Sequence, residues 1–278
     1  MKKSTWIAVT AGVGSSEFEE AAFRVKKDLE KSGVVDKVIA VTTIDLPGVC
    51  PKTSALYREL MNPETRGYGF FCWKAEIVNA ALSGYWGNFD GVIWIDAGCE
   101  VTINAFSIQK FRHFENHAQI YGVSCFTLDT LEIEYSKRDL FEYFTEIDPK
   151  LAGEQIQATW FFLHGETGRK ISIEWLEAVL AGTNLLDLSP SKLPEFDEFI
   201  ENRYDQSTLS LVCKRNSVKP MSYIPTSGYG SFLSSVNGFF HPIWTSRNRK
   251  GSSVKCKLHE LVEVSAADQT RCKGFLRS

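Results

Sequence analysis

Residues 90–100, Asp-Gly-Val-Ile-Trp-Ile-Asp-Ala-Gly-Cys-Glu, constrain the fold of this chain more than any other stretch. Val92 to Ile95 is an uninterrupted apolar run of strand length, which reads as a strand covered on both faces. Such a strand belongs inside a sheet with helices on either side. The run stops at Asp96, and Ala97-Gly98, Cys99 and Glu100 follow. In open α/β sheets, ligands sit outside the carboxyl ends of the strands. A carboxylate there, beside a glycine, suits one of two roles. It can carry Mg²⁺ or Mn²⁺ to a phosphate, as hard oxygen ligands do, or it can cap the segment that follows.

The segments before it supply the rest of a β-α-β opening. Trp6 to Thr10 reads as a first strand, and 11–16 is a loop. From Glu17 to Lys31, the apolar positions Phe18, Ala21, Ala22, Val25 and Leu29 keep helical spacing, and Ser32-Gly33 ends the helix. Val38 to Thr42 is a second strand, so a parallel sheet is implied. Gly12 and Gly14 are only a fragment of a dinucleotide fingerprint. Further on, 45–69 reads as loop-rich and a helix starts near Lys74. Later helices are expected over 104–117, 137–144 and 173–180 and from near Ser207, with strands over 120–127 and 159–163.

A chain of 278 residues, 44% hydrophobic and 23% charged, can bury a sizeable core. Its net charge of −3 offers no global electrostatic case for nucleic acid, so none is expected as a partner. The seven cysteines, at 50, 72, 99, 125, 213, 256 and 272, form no Cys-x-x-Cys pair. Several lie in apolar runs and read as small buried hydrophobes, a pattern that fits a reducing cytoplasm. The apolar stretch after Met1-Lys2-Lys3 is too short for a signal peptide, and no run of about 18 apolar residues suggests a membrane span.

Three more constellations carry chemistry. Arg66-Gly-Tyr-Gly-Phe-Phe-Cys-Trp73-Lys74 combines flexible glycines, aromatic walls and cationic heads. It suits a sugar or a nucleotide diphosphate, or it is a loop packed by its own aromatics. Asp205 and Gln206 precede an apolar helix, as a pocket edge able to bind hydroxyls or accept a proton, or as an N-cap. His241 is followed by Arg247, Arg249 and Lys250. That group suits a metal-bound diphosphate, or it is a solvated basic patch.

Together these segments resemble bacterial glycosyltransferases of the GT-A type, in the nucleotide-diphospho-sugar transferase superfamily, and within it a group among cell-surface polysaccharide enzymes. The pattern is Gly-Tyr-Gly-x-x-x-Trp-Lys, then a strand ending Asp-Ala-Gly-Cys-Glu, then Arg-x-Asp-Gln-Ser. The chain carries it as Gly67-Tyr68-Gly69 with Trp73-Lys74, as Asp96 to Glu100, and as Arg203 with Asp205-Gln206-Ser207. The resemblance implies one α/β, GT-A-like domain over 1–250, with a central, mostly parallel, mixed sheet flanked by helices. A basic C-terminal tail over 251–278 follows.

The implied reaction moves a sugar from a nucleotide diphosphate, UDP foremost, to a hydroxyl of a glycan or lipid-linked acceptor. By the same resemblance, Asp96-Ala97-Gly98 stands in for an Asp-x-Asp motif that holds Mn²⁺ or Mg²⁺ and the donor diphosphate. Gly98 replaces the second acid, so Glu100 or a water completes the metal set, with His241 as a further ligand. Thr10 and Ala11 match the place of the nucleotide base and ribose. Arg66, Trp73, Lys74, Arg247, Arg249 and Lys250 fall on the donor. Asp205 is the base of an inverting enzyme, or it positions sugar with Gln206 in a retaining one.

Two other readings stay open. One is a sugar nucleotidyltransferase, although residues 11–16 hold no Lys or Arg. The other is a non-catalytic carbohydrate-binding or assembly protein of the same fold. From Arg247 to Arg277 the chain carries Arg249, Lys250, Lys255, Lys257, Arg271 and Lys273 against Glu260, Glu263 and Asp268. That local excess suits either reversible visits of a cytoplasmic enzyme to the inner membrane face or a solvated tail.

Overall fold

A computed structural model describes residues 3–105, 107–221, 241–245 and 247–249. Lys250, the tail over 251–278 and the membrane contact expected of it lie outside the described residues. The described strands are β1 (Trp6–Gly12), β2 (Lys37–Thr42), β3 (Gly91–Ile95), β4 (Cys99–Val101), β5 (Val123–Ser124), β6 (Thr127–Leu131), β7 (Glu154–Ile156), β8 (Trp160–His164) and β9 (Ile243–Thr245). The longer helices are α1 (Ser16–Ser32), α2 (Trp73–Leu82), α3 (Ile108–Tyr121), α4 (Gly165–Leu180) and α5 (Asp205–Arg215).

The architecture is α/β, a five-stranded mixed sheet in the order β2-β1-β3-β8-β5 with helices on both faces. β2, β1 and β3 run parallel, as the β-α-β opening requires. β8 is antiparallel to both β3 and β5. The strands alternate cleanly between two cores, because neighbouring side chains point to opposite faces. Ile7, Val9, Val92, Trp94, Phe161 and Leu163 pack with α2 and α4 on one side. Trp6, Ala8, Ile93, Ile95, Trp160 and Phe162 pack with α1 and α3 on the other.

Several expected elements shift for physical reasons. The strand expected over 120–127 divides: Val123–Ser124 stays in the central sheet, while β6 leaves it to pair with β7. α4 starts well before residue 173, at Gly165. Its Gly168 lies so close to β8 that a Cβ there would meet the Leu163 backbone carbon at 2.8 Å, so glycine at this place permits helix–strand contact. The loop-rich stretch holds short helices at Leu46–Val49 and Pro51–Leu56, each with proline in its first turn. No helix among the described residues is long and apolar enough to cross a membrane.

Candidate functional site

A cleft of about 680 Å³ opens where β3 ends. Its position follows from the sheet. β3 delivers Asp96 at its carboxyl end, and the antiparallel β8 starts beside it, so the Asp96 N–H donates to Thr159 O at 2.8 Å. The reversal of β8 therefore brings Gln157, Ala158 and Thr159 to the same rim. The third strand of approach is β9, whose Thr245 pairs with Cys99 and carries Arg247 to Gly98. α5 contributes Asp205 and Gln206 from its first turn, and Arg203 and Tyr204 from the segment before it.

Lys74 is the centre of the site. Its side chain is 4% exposed, and its Nζ lies 3.0 Å from Asp96 Oδ1 and 2.7 Å from Asp205 Oδ2. It also donates to Ala158 O at 3.3 Å. The Ala158 contact is a hydrogen bond, and the two carboxylates hold the ammonium as ion pairs. The rings of Trp94 and Phe71 stand 5.4 and 5.5 Å away, within cation–π range. Burial alone would lower the Lys74 ammonium, but the Asp205 and Asp96 carboxylates outweigh it and hold the ammonium above its ordinary range. Burial pushes the Asp205 carboxyl up to about 6, against the opposing pull of Lys74. Trp94 Nε1 donates to Asp96 Oδ1 at 2.7 Å, so that one oxygen takes two partners while Oδ2 makes none of these contacts.

The segment that presents Lys74 is under backbone strain. Gly67, Tyr68, Gly69, Phe70 and Phe71 all have positive φ, from 53° to 94°. Three of them are not glycine, a conformation costing about 1–2 kcal/mol per residue. Trp73 holds the loop, its Nε1 donating to Gly67 O at 3.0 Å. Tyr204, directly before Asp205, also has positive φ, and its ring stacks on Phe70 at 5.3 Å. Two strained segments thus brace each other at the cleft, a common feature of functional sites.

The structure brings Arg66, Lys74, Asp96, Asp205, Gln206 and Arg247 together on one cleft. Trp73 is buried, bracing the loop rather than lining the cleft. Gln206 lines it, but its amide is occupied: Nε2 donates to Gln155 and Oε1 accepts from Ala158 N. Thr10 and Ala11 are buried at the end of β1 and are not cleft-lining residues. Arg249 stands over the Phe18 ring at the start of α1. Ala97 is buried against Ala21 and Ala22 of α1.

Glu100 is not brought to Asp96. It is 1% exposed, with Oε1 taking donors from Arg24 at 3.1 Å and Asn248 at 2.5 Å. Arg24 of α1 also donates to Ala97 O and Cys99 O. Glu100 and Arg24 therefore lock the Asp96 turn from beneath. Nor does His241 reach Asp96. Ile243 pairs with Val101 and Thr245 with Cys99, so His241 lies at the far end of the β4–β9 ribbon. β9 spans Ile243–Thr245, and His241 lies two residues before it. There its Nε2 meets Lys110 Nζ at 2.9 Å, and burial with the Lys110 charge holds the ring neutral, its pKa lowered to about 4.

The donor set for Mn²⁺ or Mg²⁺ is thus not assembled. Gly98 offers no side chain, and no cluster of three metal-ligating side chains occurs among the described residues. Asp96 has a lysine ammonium where a cation would sit. Two unit charges about 4 Å apart repel by about 4 kcal/mol at an effective dielectric of 20, and by twice that for a divalent ion. The residues present do not fit a protein-held divalent metal.

The sequence signals that passed unread are Glu201, Gln157, Thr159, Tyr204 and Arg24. Only Arg24 carried a hint, as an arginine between Ala22 and Val25 on the helix face that packs against the sheet.

No family model and no curated protein matches the chain. Among solved structures it is similar to the apo crystal structure of mouse xyloside xylosyltransferase 1, at 12% identity and a TM-score of 0.43, over 87% of this chain and 97% of that one.

Proposed function

We propose that the chain is a glycosyltransferase that takes a sugar from a nucleoside diphosphate and passes it to an acceptor hydroxyl. The observation that carries this reading is the convergence of Arg66, Lys74, Arg203 and Arg247 with Asp96, Asp205 and Glu201 on one cleft at the carboxyl end of β3. Four cations against three carboxylates leave one net positive charge, suited to an anion that must be bound and later released. Arginine forks match phosphate oxygens. Asp96, with Oδ2 unengaged by Lys74 and Trp94, accepts from a ribose or sugar hydroxyl.

In the reaction the sugar C1–O bond to the diphosphate breaks and a bond from the acceptor oxygen to C1 forms. Negative charge grows on the leaving diphosphate, and the cleft arginines and buried Lys74 stabilise it. The acceptor proton goes to Asp205, a carboxylate raised toward neutrality and therefore a competent base near pH 7. This is the inverting course. The acceptor is a glycan or lipid-linked glycan of a cell-surface polysaccharide and the donor a UDP-sugar, as the motif resemblance suggests.

The test is to incubate the purified full chain with a panel of nucleotide sugars and candidate acceptors, measuring released nucleoside diphosphate and the anomeric configuration of the product. Release with one donor, lost in Asp96→Asn, supports transfer. A folded protein that binds glycans but releases no nucleotide from any donor overturns it in favour of a binding protein. Formation of a nucleotide sugar from a sugar phosphate and a nucleoside triphosphate overturns it in favour of a nucleotidyltransferase.

A further inference from the structure

A cation bridged between two carboxylates can be a metal ion or an ammonium, and at this site the ammonium is already in place. Lys74 Nζ touches Asp96 Oδ1 and Asp205 Oδ2 at once, at 3.0 and 2.7 Å. The two carboxylates reach it from elements far apart in sequence, one at the end of β3 and one in the first turn of α5. Its charge is held where an ion recruited from solution would otherwise be needed. Its stem is enclosed, and Trp94 holds the same Asp96 oxygen that Lys74 contacts. Glu100 is committed to Arg24 and Asn248, and His241 lies at the other end of its ribbon. No other described group thus completes a metal shell around Asp96.

We infer that Lys74 is the resident cation of this site and that the nucleoside diphosphate is bound without a divalent metal, Lys74 fixing Asp96 and Asp205 while Arg66, Arg203 and Arg247 take the phosphates. The inference rests on the nucleotide-sugar reading above and deepens it. Lysine differs from a metal in one useful respect: its charge is built into the chain and does not depend on ion concentration. Its ammonium is already taken up by two carboxylates and the Ala158 carbonyl. The direct contacts to phosphate therefore fall to the arginines, whose guanidinium forks can hold two oxygens each. Removing Lys74 has a specific consequence. It leaves two carboxylates facing one emptied space, which is the beginning of a Mn²⁺ or Mg²⁺ site.

The experiment is calorimetric titration of the full chain with UDP, GDP and ADP, in EDTA and in millimolar Mn²⁺. Wild type is expected to bind one of them with dissociation constants that agree within about threefold in the two buffers. In Lys74→Met, affinity in EDTA is expected to fall by about tenfold or more and to recover in Mn²⁺, with Mn²⁺ alone now binding and raising the melting temperature. Wild-type binding that appears only with Mn²⁺ overturns the inference and leaves the nucleotide-sugar reading standing. No binding of any nucleoside diphosphate in either buffer overturns both. The wild-type comparison decides the matter even if Lys74→Met does not fold, and Arg203→Met adds a check. It is expected to weaken nucleotide binding equally with and without Mn²⁺. Unchanged affinity in that variant removes Arg203 from the phosphate role and overturns that part of the inference.

Discussion

At the scale of single residues the site turns on two carboxylates that look alike in sequence and differ in place. Asp96 is partly exposed, with one oxygen tied to Trp94 and Lys74. Asp205 is buried, and its carboxyl is raised to about 6 by that burial. If Asp205 takes the acceptor proton, it works only when ionised. The value of kcat/KM is then expected to rise with pH and level off above about 6. Asp205→Asn is expected to lose about 10²–10⁴-fold in kcat, as the loss of a positioned base does, and to lose that acid limb with it. A variant that keeps the limb would reassign it to another group. Both positions were legible as chemistry in the sequence, because an acid at the end of an apolar strand and an acid before an apolar helix each stand where side chains meet ligands. What could not be read was that Lys74 joins them, since 22 residues separate Lys74 from Asp96 and 131 separate it from Asp205.

At the scale of elements, the Asp96 turn is held by α1 rather than by its own strand. Arg24 reaches from α1 to Glu100 and to the carbonyls of Ala97 and Cys99, while Asn248 closes the knot on Glu100 and Gly98. Gly12 lets α1 come this near, since a Cβ there would meet Phe18 O at 2.1 Å. Arg24→Ala leaves a buried carboxylate without its cation. It is expected to cost about 3–5 kcal/mol in denaturant unfolding, the usual range for breaking a buried pair. It is also expected to weaken nucleotide binding, measured by titration, because the turn that carries Asp96 loses its floor. Unchanged stability would mean that the pair is replaced by water. α5 is fixed in a similar way from its far end. Lys214 approaches Glu132 at 3.4 Å, and Ser136 and Gln155 add hydrogen bonds to the same fully buried carboxylate. The Arg-x-Asp-Gln-Ser motif divides accordingly. Arg203, Asp205 and Gln206 line the cleft, while Gln206 and Ser207 also tie the helix to neighbouring backbone.

At the scale of the whole molecule, opposed titrations shape stability between pH 4 and 6.5. Asp205 is raised above its ordinary value, so its protonated form is favoured on folding, and stability falls as pH rises through 6. His241 and His164 are lowered by burial, so stability falls as pH drops below the ordinary histidine value. Glu115 and Glu132 are also raised by burial and add to the Asp205 slope, which opposes that of the histidines. Asp205→Asn removes one slope. Its melting temperature relative to wild type is expected to climb from pH 4 to pH 7. Lys74 stays protonated throughout and adds only a constant. A difference that does not change with pH would show that Asp205 titrates alike folded and unfolded. The sequence by itself determined the α/β class, the β1-α1-β2 opening, the buried strand ending in Asp96 and the cleft residues Arg66, Lys74, Asp205, Gln206 and Arg247, because apolar periodicity, strand ends and short motifs are local signals. Only the tertiary structure decided the direction of β8, the partners of Glu100, the distance from His241 to Asp96 and the position of Lys74 between two acids. Those depend on which segments meet across the sheet, and strand pairing is set by the packing of the whole chain rather than by any window of it.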